Sequence, residues 1–290
     1  MSIMPERFVF FGTPYVACDT LAYLLEKGYK PALVVTSPDA PQGRGQGLAP
    51  CETKAFALEH GLPVATPSRI DQEFIDSIRE CGAVYALVVA YGKILPQALI
   101  DSFPLGILNV HYSLLPKYRG ASPVEGALLA GETETGVSIQ RMVYELDAGD
   151  VLAEEAVAIL PEETTRELRP RLVHIGAELL VKTLPGFIED TVRATPQDHS
   201  LATFTKKIKK EQGELSLAAD PTENWNRYRA YAESPGTYFF MQKPGSEKRL
   251  RVKIVSAERS GGAFLPVRVI PEGKNETAYS GLVSQGFQPV

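Results

Sequence analysis

Cysteine is scarce and dispersed in this chain. Its 290 residues hold three, Cys18, Cys51 and Cys81, with no Cys-x-x-Cys pair. Any pairing leaves one over, so a disulfide scaffold is excluded and reduced thiols are expected. Four histidines and these separated cysteines show no zinc-ligand spacing, and no metal site is expected. Long apolar runs are missing too. The longest uncharged apolar stretch, Ala83 to Tyr91, is far too short to span a bilayer and suits a strand buried on both faces. Met1 to Gly12 carries acid and base before entering a strand and has no apolar leader region. A cytoplasmic protein without membrane contact is the expectation. Internal repeats and low-complexity tracts are absent.

The apolar and polar residues that are present alternate in a recognisable way. Strand-like runs at Arg7–Phe11, Pro31–Thr36, Leu62–Ala65, Ala83–Ala90 and Gly106–Val110 are separated by helical stretches at Val16–Lys27, Thr53–Glu59 and Gln72–Cys81. That order predicts an α/β architecture built on a Rossmann-like, doubly wound parallel sheet. Ligands of such sheets bind beyond the carboxyl ends of the strands. The first turn reads Gly12-Thr13-Pro14 in place of Gly-x-Gly-x-x-Gly, so a nicotinamide dinucleotide site has no support. Gly136–Val143 and Val151–Leu160 read as two further strands. A helix is expected from Thr164 to about Leu184, capped by Thr164 or Thr165, with a kink or a later start at Pro170.

The pattern changes near residue 205. Residues 1–189 read as one domain, 190–205 as a linker, and 206–290 as a small β-rich domain of short runs separated by Gly and Pro. Charge divides at the same place: residues 1–205 hold 16 Lys+Arg against 26 Asp+Glu, whereas 206–290 hold 14 against 9. The net charge of −5 therefore conceals a basic C-terminal part. Lys206, Lys207, Lys209 and Lys210 are its sharpest cluster. They read as a phosphate-binding patch or, equally, as a solvated face.

One constellation carries chemistry. Leu108 to Pro123 reads Leu-Asn-Val-His-Tyr-Ser-Leu-Leu-Pro-Lys-Tyr-Arg-Gly-Ala-Ser-Pro, and Leu146-Asp147-Ala148-Gly149-Asp150 follows. An amide, an imidazole and a carboxylate (Asn109, His111, Asp147) thus stand at the ends of two apolar runs. When an amine attacks a formyl carbonyl, an oxyanion develops on one side and a proton must leave the nitrogen on the other. Asn109 and His111 can donate to the oxyanion. Asp147 can hold the imidazole protonated or take the amine proton through a water. No covalent intermediate is required, and neither Ser113 nor Cys51 has a histidine at a spacing that suggests one. Each piece alone also reads as a turn, with a hydrogen-bonded core histidine or an Asp-Ala-Gly-Asp bend.

With Ser113-Leu114-Leu115-Pro116 and Arg119-Gly120 added, the chain resembles the folate-dependent formyltransferases, most closely the branch that acts on methionyl-tRNA. Phe11-Gly12-Thr13-Pro14, Ser37-Pro38-Asp39 before Gly43-Arg44-Gly45, Gly61-Leu62-Pro63-Val64 with Pro67, and Ala90-Tyr91-Gly92-Lys93-Ile94-Leu95-Pro96 share the likeness. It runs from residue 7 to about 240, with a weaker echo at Pro271-Glu272-Gly273-Lys274. The resemblance implies 10-formyltetrahydrofolate as formyl donor, the amino group of initiator methionyl-tRNA as acceptor, and a monomer. It implies Asn109, His111 and Asp147 as catalytic, with Ser113, Leu114, Leu115 and Pro116 in the folate site. Backbone at Val89, Ala90, Tyr91, Gly92 and Ile94 would line the pterin pocket, and Arg44 with the four lysines would meet tRNA. Two departures are visible. Gln46 and Gly47 replace the lysines usual after Gly-Arg-Gly, and the β-rich tail is short, which predicts a reduced or incomplete OB-like barrel. Both favour a sugar-nucleotide N-formyltransferase as the alternative; a non-enzymatic folate or RNA binder ranks third.

Overall fold

A computed structural model describes residues 6–42 and 47–290. The Arg44 candidate and the Gly43-Arg44-Gly45 run lie outside them. The chain forms two compact units: one from the described part of 1–123 with 135–158 and 170–205, the other from 124–134, 159–169 and 206–290. The second unit is thus entered three times, where the sequence suggested a single boundary.

In chain order the elements are β1 (Phe8–Gly12), α1 (Tyr15–Glu26), β2 (Leu33–Val35), β3 (Ala40–Gln42), β4 (Gly47–Ala49), α2 (Glu52–Glu59), β5 (Val64–Ala65), α3 (Gln72–Glu80), β6 (Tyr85–Val89), α4 (Gln97–Ile100), β7 (Gly106–His111) and β8 (Arg119–Gly120). There follow α5 (Pro123–Ala130), β9 (Glu134–Arg141), β10 (Val151–Ala158), α6 (Thr165–Ile188) and β11 (Phe204–Thr205). Seven strands make the main sheet in the order β10-β9-β7-β6-β1-β2-β5. β7, β6, β1, β2 and β5 run parallel, while β9 is antiparallel to β7. The doubly wound core is present, but the sheet is mixed: β9 runs antiparallel to β7, and β10 follows β9 after a nine-residue loop too short for a parallel crossover.

β1 and β6 are buried along their whole lengths, which is why both read as continuous apolar runs. Val9, Phe11, Ala86, Val88 and Ile107 point to one face and pack against Ile75 and Ile78 of α3. On the other face the Phe8 and Tyr85 rings stack at 5.2 Å, and Phe187 of α6 meets Tyr85 edge-on. Gly176 of α6 lies so close to β7 and β9 that an added Cβ would stand 3.0 Å from Val110 and 3.2 Å from Val137. Helix α6 therefore covers the face opposite to the side chains of Asn109 and His111.

The strand order reverses between β1 and β6, and the turns that leave both strands are tight. A Cβ on Gly12 would stand 2.5 Å from Ala17 and 2.9 Å from the Val89 carbonyl, so glycine is required there. α3 begins where Asp71 accepts from the Phe74 N–H. α6 begins at Thr165, capped by Thr164, and runs unbroken through Pro170 and Pro185. The later start at Pro170 is not seen, because the Thr164 and Glu167 pair satisfies the first turn five residues earlier.

Residues 190–205 are more than a linker. Thr195 bridges Val151, and Phe204–Thr205 pairs in parallel with Arg119–Gly120, so the segment's backbone donors and acceptors are used by the first unit.

The second unit holds α7 (Pro221–Ala230), β12 (Tyr238–Gln242), β13 (Arg249–Ser260), β14 (Ala263–Pro271), β15 (Thr277–Ala278), α8 (Tyr279–Ser284) and β16 (Gln288–Pro289). Asp220 caps α7 by accepting from Thr222 and Glu223, with Pro221 in the first turn. The strands form one antiparallel sheet in the order β15-β14-β13-β12-β16. The order is linear, so the small β domain is an open sheet over a core that includes Trp225, Phe239, Met241 and Val252. Arg169 ties the unit's inserted segments together, pairing with Glu125 at 2.5 Å and Glu233 at 2.7 Å.

Candidate active site

Asn109 and His111 are two residues apart on β7, so the strand's period of two puts both side chains on one face. The antiparallel ladder sets Gln140 opposite Asn109 and Ser138 opposite His111. Directly paired residues share a face, and four buried polar side chains therefore stand together. Val110, Val137 and Ile139 alternate with them into the core.

Asp147 comes from the loop between β9 and β10, which doubles back so that the Arg141 N–H donates to the Asp150 carbonyl. Asp147 has a φ of +48°, and Gly149 passes so close to Arg141 that no Cβ fits. This turn carries the carboxylate over the polar face. Its Oδ2 accepts from the Gly120 N–H at 2.7 Å and its Oδ1 from Gln140 Nε2 at 3.0 Å. His111 Nδ1 stands 3.7 Å from Oδ2. His111 Nε2 is 3.0 Å from the Tyr118 carbonyl, which can only accept, so that nitrogen carries the proton. Nδ1 is the edge left to act. No hydrogen bond among the described residues engages the Asn109 amide.

A second layer holds this arrangement. Arg119 is 1% exposed, and its guanidinium donates through Nε and Nη2 to Gln197 Oε1 at 3.2 and 2.7 Å. It also donates to His199 Nδ1 at 3.1 Å. Gln197 Nε2 in turn donates to the carbonyls of Asp147 and Gly149 at 2.9 and 2.6 Å. Sequence reasoning missed Gln140 and Gln197. The polar residues alternating with Val137 and Ile139 were a readable signal for Gln140; Gln197 had none, because its role depends on contacts some fifty and eighty residues away.

The folate candidates fall in two places. Ser113 is fully buried and donates to the Lys117 carbonyl at 2.6 Å, while the Leu115 N–H donates to Ser138 Oγ, so Ser113, Leu114, Leu115 and Pro116 form a turn anchored on β9. Val89 ends β6, and Ala90, Tyr91, Gly92 and Ile94 follow it, where Thr13 Oγ1 donates to the Tyr91 carbonyl. Ala90 and Gly92 have positive φ, and Ile94 is 82% exposed. Tyr91 is buried, and burial pushes its phenol up to about 12, so it stays neutral. Ile94, Tyr144 and Leu146 are each exposed apolar side chains. Burial, with Asp19 adding, likewise raises the Cys18 thiol to about 11, which removes it as a nucleophile.

In the second unit Lys206, Lys207, Lys209 and Lys210 are all exposed. The sheet there has a feature the sequence reading did not single out. Tyr238 and Phe240 of β12 share a face with Lys253, Arg251 and Arg249 of β13. Arg251 lies over the Tyr238 ring at 3.7 Å and Arg249 over Phe240 at 4.5 Å.

Known proteins resemble this chain in sequence and in fold. The model of the formyl transferase family matches residues 6–184. A methionyl-tRNA formyltransferase of Geobacter sulfurreducens is 40% identical over 262 residues, 90% of this chain and 82% of the relative. Among solved structures, an N-formyltransferase from Helicobacter canadensis with folinic acid and dTDP-3-aminofucose superposes with a TM-score of 0.65 at 18% identity, over 88% of this chain and 89% of that one. A methionyl-tRNA formyltransferase from Clostridium thermocellum superposes with a TM-score of 0.62 at 17% identity, over 92% and 98%. These two show the shared fold. On the family match and the close relative together, this chain belongs to the formyl transferase family, in its methionyl-tRNA formyltransferase branch.

Proposed function

We propose that this chain transfers the formyl group of 10-formyltetrahydrofolate to the free amino group of initiator methionyl-tRNA by direct attack of the amine. The observation that carries the reading is the convergence of Asn109, His111 and Asp147 on one face, with His111 Nδ1 3.7 Å from Asp147 Oδ2. The folate supplies an electrophilic formyl carbon. The Asn109 amide, engaged by no hydrogen bond among the described residues, donates to the oxygen on which charge develops. His111 is held by Tyr118 at Nε2 and so acts through Nδ1. At 3.7 Å the Asp147 carboxylate faces that nitrogen from just beyond direct hydrogen-bond distance. Its oxygens can also accept the amine proton through a water.

The folate reading rests on the backbone at Val89–Ile94, beside which the Ile94 side chain is exposed; Ser113–Pro116 shapes the turn beside His111. The RNA reading rests on the second unit. Four exposed lysines at 206–210 and a sheet face with three cations and two rings suit a phosphate backbone and its unstacked bases. Residues 206–290 are thus read as a tRNA-binding part and Arg44 as a contact near the acceptor end. We read the protein as a cytoplasmic monomer; no helix among the described residues is long and apolar enough to cross a membrane. A paired assay tests the acceptor: with 10-formyltetrahydrofolate as donor, charged initiator tRNA should be formylated faster than an amino-sugar nucleotide. The reverse order would establish the sugar-modifying alternative.

A further inference from the structure

Gln140 is 1% exposed and stands opposite Asn109 in the β7–β9 ladder. Its two amide atoms have unequal surroundings. Nε2 donates to Asp147 Oδ1 at 3.0 Å, whereas Oε1 is buried without a hydrogen-bond partner among the described residues. Turning the amide over would set Oε1 against a carboxylate oxygen, so Asp147 fixes the orientation. A buried acceptor left unpaired opposes folding, and a methionine of the same length would carry no such defect. The amide's contribution therefore lies in what its N–H does.

The N–H decides how the carboxylate stands. Asp147 Oδ2 is shared between the Gly120 N–H and the approach to His111 Nδ1, while Oδ1 is taken by Gln140 alone among the described residues. With both oxygens fixed, the carboxylate plane cannot turn about its last side-chain bond, and Oδ2 keeps facing His111. Without Gln140 one anchor remains and the plane is free to rotate.

We propose that Gln140 is a positioning residue for the transfer, fixing the Asp147 carboxylate so that Oδ2 faces His111. The inference rests on reading Asn109, His111 and Asp147 as the reacting groups. It is tested in the full-length enzyme with Gln140→Met, which removes the donor and the unpaired acceptor together, and with Gln140→Asn, which keeps the amide but withdraws it by one methylene. Turnover is measured with 10-formyltetrahydrofolate and whichever of charged initiator tRNA or an amino-sugar nucleotide the wild type accepts, so a wrong acceptor and a wrong role for Gln140 give different results. The Met variant should lose about tenfold in kcat, with KM for both substrates within about twofold and a melting temperature no lower than that of the wild type. The Asn variant should lose kcat with the same unchanged KM, and it decides the matter if the Met variant does not fold. A Met variant within about twofold of wild-type kcat would overturn the proposal. So would a loss confined to KM, or one that tracks a fall in melting temperature. A wild type that formylates neither amine would overturn the proposal together with the reading it rests on.

Discussion

The backbone N–H of Gly120 donates to Asp147 Oδ2 at 2.7 Å, across 27 residues of chain. Gly120 can do this because it has no side chain. Its φ is +108°, and a Cβ would stand 2.3 Å from the Thr205 carbonyl of the paired strand. The turn after β7, the loop before β10 and the segment around residue 205 therefore meet at one glycine.

Gly120→Ala should consequently cost about 2–3 kcal/mol of stability, through strain at positive φ and overlap with Thr205. Turnover should fall as well, because the Asp147 anchor moves. Urea unfolding with parallel kinetics measures both; a variant as stable and active as the wild type would show that β8 and β11 separate readily.

His111→Ala, Asp147→Ala and Asn109→Ala should each lose at least about two to three orders of magnitude in kcat, the scale of one oxyanion donor or one general base. Folate affinity should change little, which equilibrium binding checks. Any of the three that keeps near-normal turnover has been given the wrong role. Chelators should leave the reaction unchanged, since direct attack of the amine calls on the donors and acceptor that Asn109, His111 and Asp147 supply.

Gln197→Ala should destabilise the protein by about 2–3 kcal/mol, because Arg119, 1% exposed, loses its main acceptor. Gln197→Glu retains an acceptor for Arg119 but cannot donate to the carbonyls of Asp147 and Gly149. It should be the more stable of the two and still lose turnover. Denaturation midpoints and kcat for the pair distinguish support of the Asp147 turn from simple packing.

Neutralising Lys206, Lys207, Lys209 and Lys210 together should weaken tRNA binding and flatten its salt dependence by up to roughly four phosphate contacts' worth of slope. Turnover at saturating tRNA should survive. Arg44→Ala should depress turnover as well as affinity if its loop positions the acceptor end. Titrations from low to moderate salt decide this, and an unchanged slope in the lysine variant would remove that cluster from the interface.

At alkaline pH the buried phenols should govern stability. Burial raises Tyr91 from 10.0 to about 12 and raises Tyr85 further, so the folded state holds these protons more tightly than the unfolded chain. Their contribution is complete below pH 10 and is lost as pH climbs from 10 toward 12. Thermal melts across that window should show a progressive fall, shallower in Tyr91→Phe.

Much of the molecule was legible in its sequence because the signals were local. The apolar runs at Phe8–Phe11 and Tyr85–Val89 read as strands, and Asn109, His111 and Asp147 stood out as chemistry-bearing types at strand ends. Tertiary structure decided the rest. The pairing of residues 204–205 with 119–120 and the threefold entry of the chain into the second unit depend on contacts between distant segments, which residue order does not encode locally. The same holds for the groups that hold Asp147. Gly120, Gln140 and Gln197 lie 27, 7 and 50 residues from it, and only the folded chain brings their N–H groups to one carboxylate and its backbone. Side-chain type sets what a residue can do, and three-dimensional packing sets which partner it meets.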